Sequence, residues 1–498
     1  MHPADLRQSP SRGPLFVALV AGCVVWAAGV FGSYGWFTDE LYFLACADRP
    51  AFGYVDHPPL ATLLLAVFRA VAGDDLALIR LVPTVAYVAA IVQVGRLARA
   101  LDGGRFAQTL AAALFATAPA VLVIAGFYSM NPFELLLLIT LARLAVALVR
   151  GADPRTWVWF GAITGVALLT KHSALLPAGL LAAATLASPA RAHFATRWPY
   201  LGIVLAVAIA TPNLVWLVQH DGVTFEFYKI SVPLKNIEQS PLEAIVGQAM
   251  FVGPMVFVVA VAGAISLARQ RSFRGFAAIF ALALLLMMVS GISRADRILA
   301  VYPLMFAAGA CALERLSRWR RAFAGVVLVV GALPPLPLVL PMLPPELVIR
   351  YSAALGVTPQ LEVAKQGAMP QWLGDRRGWP ELVDATAAVY RTLDDRDVVV
   401  FGADYGSAGA LELYGPAAGL PMPVISTHNE FWAWGPGRPA TVLAVGHDAT
   451  YWNNLYADVR WAGTVRCTGC LVDGTAIWIA RGERPGLAAR WSALRRFE

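Results

Sequence analysis

Long apolar stretches alternate with short polar connections along most of this chain, and the alternation predicts a bundle of membrane-spanning helices. A span needs about 20 apolar residues, and about eleven such stretches precede roughly residue 343. The first runs from Pro14 to Gly32 behind Arg7 and Arg12, lacks a small-residue cleavage site, and reads as a retained span. Two shorter patterns follow it. Asp39 to Ala47 (Leu41, Leu44, Ala45) and Pro58 to Ala72 (Leu60, Leu63, Leu64, Val67, Phe68) repeat apolar residues at helical spacing but are too short to span. They predict amphipathic helices lying flat at the interface. A turn-rich connector, Phe52-Gly53-Tyr54-Val55-Asp56-His57-Pro58-Pro59, joins them.

Beyond a proline-rich stretch (Pro334 to Pro345) the pattern changes. Buried-strand runs at 397–402, 441–446 and 476–480 and a helical run from Tyr405 to Gly415 predict a small α/β domain. The expected organisation is a multi-span domain over 1–343, with a first outer loop at 34–76, and a separate α/β domain over 344–498. No long-period internal repeat is evident.

Composition fits this picture: of 498 residues, 58% are hydrophobic and only 14% charged, and the mean hydropathy is +0.62. The net charge of +7 does not point to nucleic acid, because the basic residues fall in short connections between spans. Arginine clusters at 96–105, 150–155, 191–197, 269–274 and 315–321 alternate with acidic or mixed connections at 34–76, 126–131, 171–173, 219–243 and 291–297. An N-terminus on the cytoplasmic side puts every arginine cluster in the cytoplasm. An odd number of spans then places the C-terminal domain outside.

The candidate chemistry gathers on that outer side. Asp39 and Glu40 directly follow the first span, at a membrane rim where ionisable groups serve a site or a pathway. Two readings stand: first-turn helix acids favoured by the macrodipole, or a general base, a metal ligand, or both. Adjacent helical residues diverge by about 100°, which argues against a pair of carboxylates flanking one anomeric carbon. One carboxylate acting on a hydroxyl while its neighbour orients or binds a cation fits better.

Lys171 is one of four lysines, with Lys229, Lys235 and Lys365, and all fall on the expected outer side. It either snorkels to the interface or offers a fixed cation to a phosphate. Glu134 begins a span on the same side. Arg294 and Arg297 either anchor at the interface or clamp an anionic leaving group. Asp56-His57 and His220-Asp221 read more readily as structural hydrogen-bonding pairs than as metal ligands. No cofactor is specified, and there is room for a divalent cation. Cys467-Thr468-Gly469-Cys470 alone is not a zinc site; outside the cytoplasm it suits a local disulfide.

Phe37-Thr38-Asp39-Glu40-Leu41-Tyr42 followed by Gly53-Tyr54-Val55-Asp56-His57-Pro58-Pro59 resembles the first outer loop of bacterial membrane glycosyltransferases of family 39, which have the GT-C fold. Relatives include protein O-mannosyltransferases and lipid A aminoarabinose transferases. The similarity continues at Leu169-Thr170-Lys171, Pro212-Asn213-Leu214-Val215-Trp216 and Tyr302-Pro303. In the tail it extends through Tyr405-Gly406-Ser407-Ala408-Gly409-Ala410-Leu411 and Ser426-Thr427-His428-Asn429.

The resemblance implies a cavity at the outer membrane face and a polyprenyl-phosphate sugar donor. The acceptor would be an envelope hydroxyl on lipid A, another glycan or a protein. It implies Asp39 as base with Glu40 in support, Lys171 near the donor phosphate, and Glu134 as a second acid by the cavity. The last outer turn carries Arg294 and Arg297 in place of a lysine, which would make the phosphate clamp from arginine. Such an enzyme needs cations to stabilise a phosphate leaving group and a base to activate the acceptor. In-line attack inverts the anomeric centre. The competing reading, a transporter or flippase of a lipid-linked or anionic substrate, predicts charges deep within spans and an internal repeat.

Overall fold

The computed structural model describes residues 10–357, 367–395, 397–437, 441–484 and 486–498; Lys365 lies outside them. Among the described residues six helices are long and apolar enough to cross a membrane: Gly13–Phe31, Leu76–Ala100, Asn131–Val149, Trp198–Gln219, Arg271–Val289 and Ala295–Glu314. Three bent helix pairs raise this to nine if each counts as one span. The expected eleven is reached only by adding the 15-residue helices Thr156–Thr170 and Arg318–Ala332. Each is about 22 Å long at 1.5 Å per residue, short of a hydrocarbon core of about 30 Å. The chain is a multi-pass membrane protein whose spans are unequal in length.

Small residues allow the spans to approach closely, as expected where lipid supplies no hydrophobic drive for association. Gly161 and Gly202 face each other across the Thr156–Thr170 and Trp198–Gln219 helices. A Cβ on Gly161 would lie 2.0 Å from the Gly202 carbonyl oxygen, so no larger residue fits there.

The two helices of the first loop form at Thr38–Ala47 and Leu60–Ala72. The second is amphipathic: Ala61, Thr62 and Leu65 are buried, whereas Val67 and Val71 are exposed. The first is not the interfacial helix expected from its pattern, because all of its residues except Asp39 are buried. The reason is tertiary. The Tyr405–Ala418 helix of the C-terminal region packs directly on it. Leu41, Leu44 and Tyr54 consequently share one apolar core with Leu382, Val400, Ala408 and Leu411.

The loop expected at 219–243 holds a helix, Val223–Lys235, and a two-residue strand β1 (Ile237–Glu238). β1 pairs antiparallel with β2 (Ile292–Ser293), with Ile237 opposite Ser293. This pairing ties two distant loops together.

The C-terminal sheet comprises β3 (Val398–Gly402), β4 (Val424–Ile425), β5 (Thr441–Val445), β6 (Tyr456–Thr464) and β7 (Ala476–Glu483). Its order is β4-β3-β5-β7-β6. β3 pairs parallel with β4 and β5, Val400 lying opposite both Val424 and Leu443, whereas β7 runs antiparallel to β5 and β6. Strands buried on both faces read as continuous apolar runs, as β3 and β5 do. Cys467 and Cys470 are joined by a disulfide.

Candidate active site

The Thr38–Ala47 helix begins where an extended Phe37 turns the chain into the first helical residue. Glu40, in the first turn, reaches back so that its Oε2 accepts the Phe37 N–H at 2.8 Å, half of a capping box. The same carboxylate accepts Arg80 Nε at 3.0 Å, Arg80 Nη2 at 2.6 Å and the Tyr128 N–H at 2.8 Å. Arg80 in turn donates to the carbonyls of Gly29 and Gly35. Burial alone would raise the Glu40 pKa. The charge and hydrogen bonds of Arg80, with Arg376 nearby and the Phe37 N–H, outweigh it and hold the group below its ordinary value. With both oxygens engaged inside the fold, Glu40 is arranged to fix the helix, not to take a proton or ligate a metal.

Asp39 differs from its neighbour: its side chain is half-buried and its Oδ1 accepts the Tyr405 hydroxyl at 3.0 Å. One of the two adjacent carboxylates is thus locked inside the fold, and the other stands at its edge.

Asp56 and His57 belong to the connector. The Tyr42 hydroxyl donates to Asp56 Oδ1 at 2.7 Å, and His57 Nδ1 lies 3.1 Å from the same oxygen. His57 Nε2 is 2.9 Å from Thr62 Oγ1, and its ring stacks on Tyr54 at 4.7 Å. Burial raises the Asp56 pKa, but His57 and Tyr42 more than reverse this, so it sits below the ordinary value. His57 is fully buried with both ring nitrogens occupied. Their place in the first outer loop makes Asp56 and His57 candidates for substrate contact, and their geometry is that of a brace for the loop.

Lys171 Nζ lies 3.0 Å from Asn131 Oδ1 and 3.3 Å from Glu134 Oε2, and Ser173 donates to the other Glu134 oxygen at 3.2 Å. Glu134's partner is therefore Lys171. Arg294 forms a fork on Asp296 at 3.0 and 3.1 Å, and Arg297 donates to Asn236 at 2.6 Å, across the β1–β2 pairing. Asp296 feels the charges of Arg294, Lys171 and Arg297 together.

Lys171 and Glu40, the neighbour of Asp39, meet the same turn. Tyr128 gives its N–H to Glu40, and Asn131, three residues on, contacts Lys171. Three residues span at most about 10 Å. Tyr228 adds a second link: it bonds to His172 at 3.3 Å and feels both Asp56 and Glu134.

Sequence reasoning missed Arg80, Tyr405 and Tyr228. An arginine inside the apolar run 76–100 was a usable signal for Arg80, since a charge in a span needs a partner. Tyr405 opens a run that carries the resemblance, without a role assigned to it, and nothing local marks Tyr228. Among the described residues no three His, Cys, Asp or Glu side chains gather where they could hold a metal ion. An open hollow of about 550 Å³ lies elsewhere, beside β1, lined by Glu238, Gln239, Ser240, Glu243, Ser290 and Gly291. It includes none of the residues above.

By part of its sequence and by its fold, the chain resembles membrane glycosyltransferases. A family model described as dolichyl-phosphate-mannose-protein mannosyltransferase matches residues 56–216. The lipid A galacturonosyltransferase RgtD of Rhizobium johnstonii is 27% identical over 262 residues, 50% of this chain and 53% of that protein. The match thus spans about half of the relative's length. ArnT from Cupriavidus metallidurans in the apo state superimposes with a TM-score of 0.60 at 16% identity, over 93% of this chain and 97% of that one. The same protein bound to undecaprenyl phosphate gives 0.58 at 16% identity, over 95% and 98%. At this identity the superpositions establish the fold.

Proposed function

We propose that this chain is a membrane glycosyltransferase that moves a sugar, hexose or pentose, from a polyprenyl-phosphate carrier to a hydroxyl of an envelope acceptor. The observation that carries the reading is the division of labour at the Thr38–Ala47 helix. Glu40 is consumed by Arg80 and by the Tyr128 turn that leads on to Lys171, while its neighbour Asp39 stands half-exposed and bonded to Tyr405. Support comes from ArnT, one of whose structures is bound to undecaprenyl phosphate, and from RgtD, named for transfer to lipid A.

In this reading Asp39 accepts the acceptor's proton as its oxygen attacks the anomeric carbon. The bond from that carbon to the phosphate oxygen breaks, and its electron pair leaves with the polyprenyl phosphate. Lys171, Arg294 and Arg297 stabilise the charge gathering on the phosphate. General-base assistance contributes about 10²–10⁴-fold. Attack opposite the leaving group inverts the anomeric centre. The site faces outward at the plasma membrane, with a cytoplasmic N-terminus, following the arginine distribution.

The test compares cells with and without the chain by mass spectrometry of polyprenyl-phosphate sugars and envelope glycans. The reading expects one lipid-linked sugar to accumulate in the deletion and one envelope glycan to lose that sugar. No change in either pool would contradict it and favour transport.

A further inference from the structure

We infer that Tyr405 is a positioning residue: the C-terminal domain delivers its hydroxyl to Asp39 Oδ1 and so aims the carboxylate at the acceptor. This rests on Asp39 being the base. A carboxylate in the first turn of a helix rotates about two side-chain bonds, and a base must sit within hydrogen-bond reach of the proton it removes. The 3.0 Å bond from Tyr405 restricts that rotation. Donation to an ionised group is the stronger kind of hydrogen bond.

The surroundings hold Tyr405 in place. It opens the Tyr405–Ala418 helix, whose N-cap Asp404 accepts the Ser407 N–H at 2.8 Å. Its ring lies 4.9 Å from Tyr42 and 4.8 Å from His428, and its own N–H donates to His428 Nδ1 at 3.3 Å. Two glycines bring this helix close enough. A Cβ on Gly409 would come within 2.9 Å of the Leu41 carbonyl group, and one on Gly406 within 2.2 Å of Thr38 Oγ1. The run Tyr405-Gly406-Ser407-Ala408-Gly409 thereby becomes a device for bringing one hydroxyl to one carboxylate.

The test titrates the polyprenyl-phosphate-sugar fraction, extracted from cells carrying Asp39→Asn, into washed membranes containing wild type, Tyr405→Phe or Gly409→Ala. Rates are taken per folded molecule. Tyr405→Phe keeps the ring packing and removes only the hydroxyl. The expected result is a kcat about tenfold lower with KM for the donor unchanged, as for loss of one charge-assisted hydrogen bond. Gly409→Ala, which keeps the hydroxyl but lifts the helix from Leu41, should lower kcat in the same way. If both variants keep wild-type kcat while Asp39→Asn is inactive, the positioning role is overturned and the base assignment stands. A change in KM alone likewise overturns it. If Asp39→Asn is as active as wild type and no donor accumulates, the base assignment falls, and the role of Tyr405 falls with it.

Discussion

Glu40 and Arg80 form a closed two-pronged ion pair inside the protein, Nη2 lying 2.6 Å from Oε2, with side-chain exposures of 0% and 2%. Forty residues of chain separate them, so the pair ties the first-loop helix to the start of the Leu76–Ala100 span. Removing one partner of a buried pair leaves an uncompensated charge, at a cost of about 3–5 kcal/mol. Arg80→Leu, which strands the Glu40 carboxylate, and Glu40→Gln, which strands the Arg80 guanidinium, should therefore each lower the yield and melting temperature of detergent-extracted protein. Equal stability of Arg80→Leu and wild type would show that the pair does not hold the helix.

Lys171 stands between Asn131 and Glu134 and is 28% exposed, placed both to be oriented by the protein and to meet a ligand. Lys171→Met should weaken turnover of the lipid-linked donor by about ten- to a hundredfold, the range for a hydrogen bond to a charged group. Lys171→Arg should restore part of it. Wild-type kinetics in Lys171→Met would remove it from the phosphate site.

The boundary between what the chain reveals and what it hides follows contact range. β3 and β5 announce themselves as apolar runs because both faces are covered. β6 does not: it is an edge strand, Tyr-Ala-Asp-Val-Arg-Trp-Ala-Gly-Thr, half-exposed and bulged between Trp461 and Gly463. Asp39, Glu40, Lys171 and Glu134 are legible as candidates because each charge sits at the end of an apolar stretch. Their partners are not. The helix that buries Thr38–Ala47 lies some 366 residues further along the chain, and no local pattern encodes it. The same gap explains why an amphipathic reading put that helix at an interface.

Glu430 supplies a pH signature. Burial pushes its carboxyl up to about 8; the Val55 N–H at 2.7 Å pulls against this, and the nearby Asp56 adds to the rise. The native state keeps the proton while the unfolded chain, near the usual value of 4.5, releases it. Stability from this group is thus complete below about pH 4.5 and is lost as pH climbs through about 8. Asp56, held below its ordinary value, loses its contribution only at acid pH, outside this window. Melting temperature in detergent should fall between pH 5 and pH 8 for wild type and fall less for Glu430→Gln. Parallel curves would refute the assignment.

Orientation can be read from the Cys467–Cys470 disulfide. A disulfide persists in an oxidising compartment. A membrane-impermeant maleimide should label this pair in intact spheroplasts only after reduction, with the Cys467→Ser/Cys470→Ser protein as the blank. Labelling only after lysis would place the C-terminal domain in the cytoplasm.

The most direct test of the central claim is the rate of sugar transfer by Asp39→Asn against wild type at equal amounts of folded protein. Asparagine preserves the shape of the side chain and can still accept from Tyr405, but it cannot take a proton. A loss of at least about a hundredfold is expected, within the range general-base catalysis supplies, with the lipid-linked donor accumulating in the cell. Undiminished transfer by Asp39→Asn would contradict it.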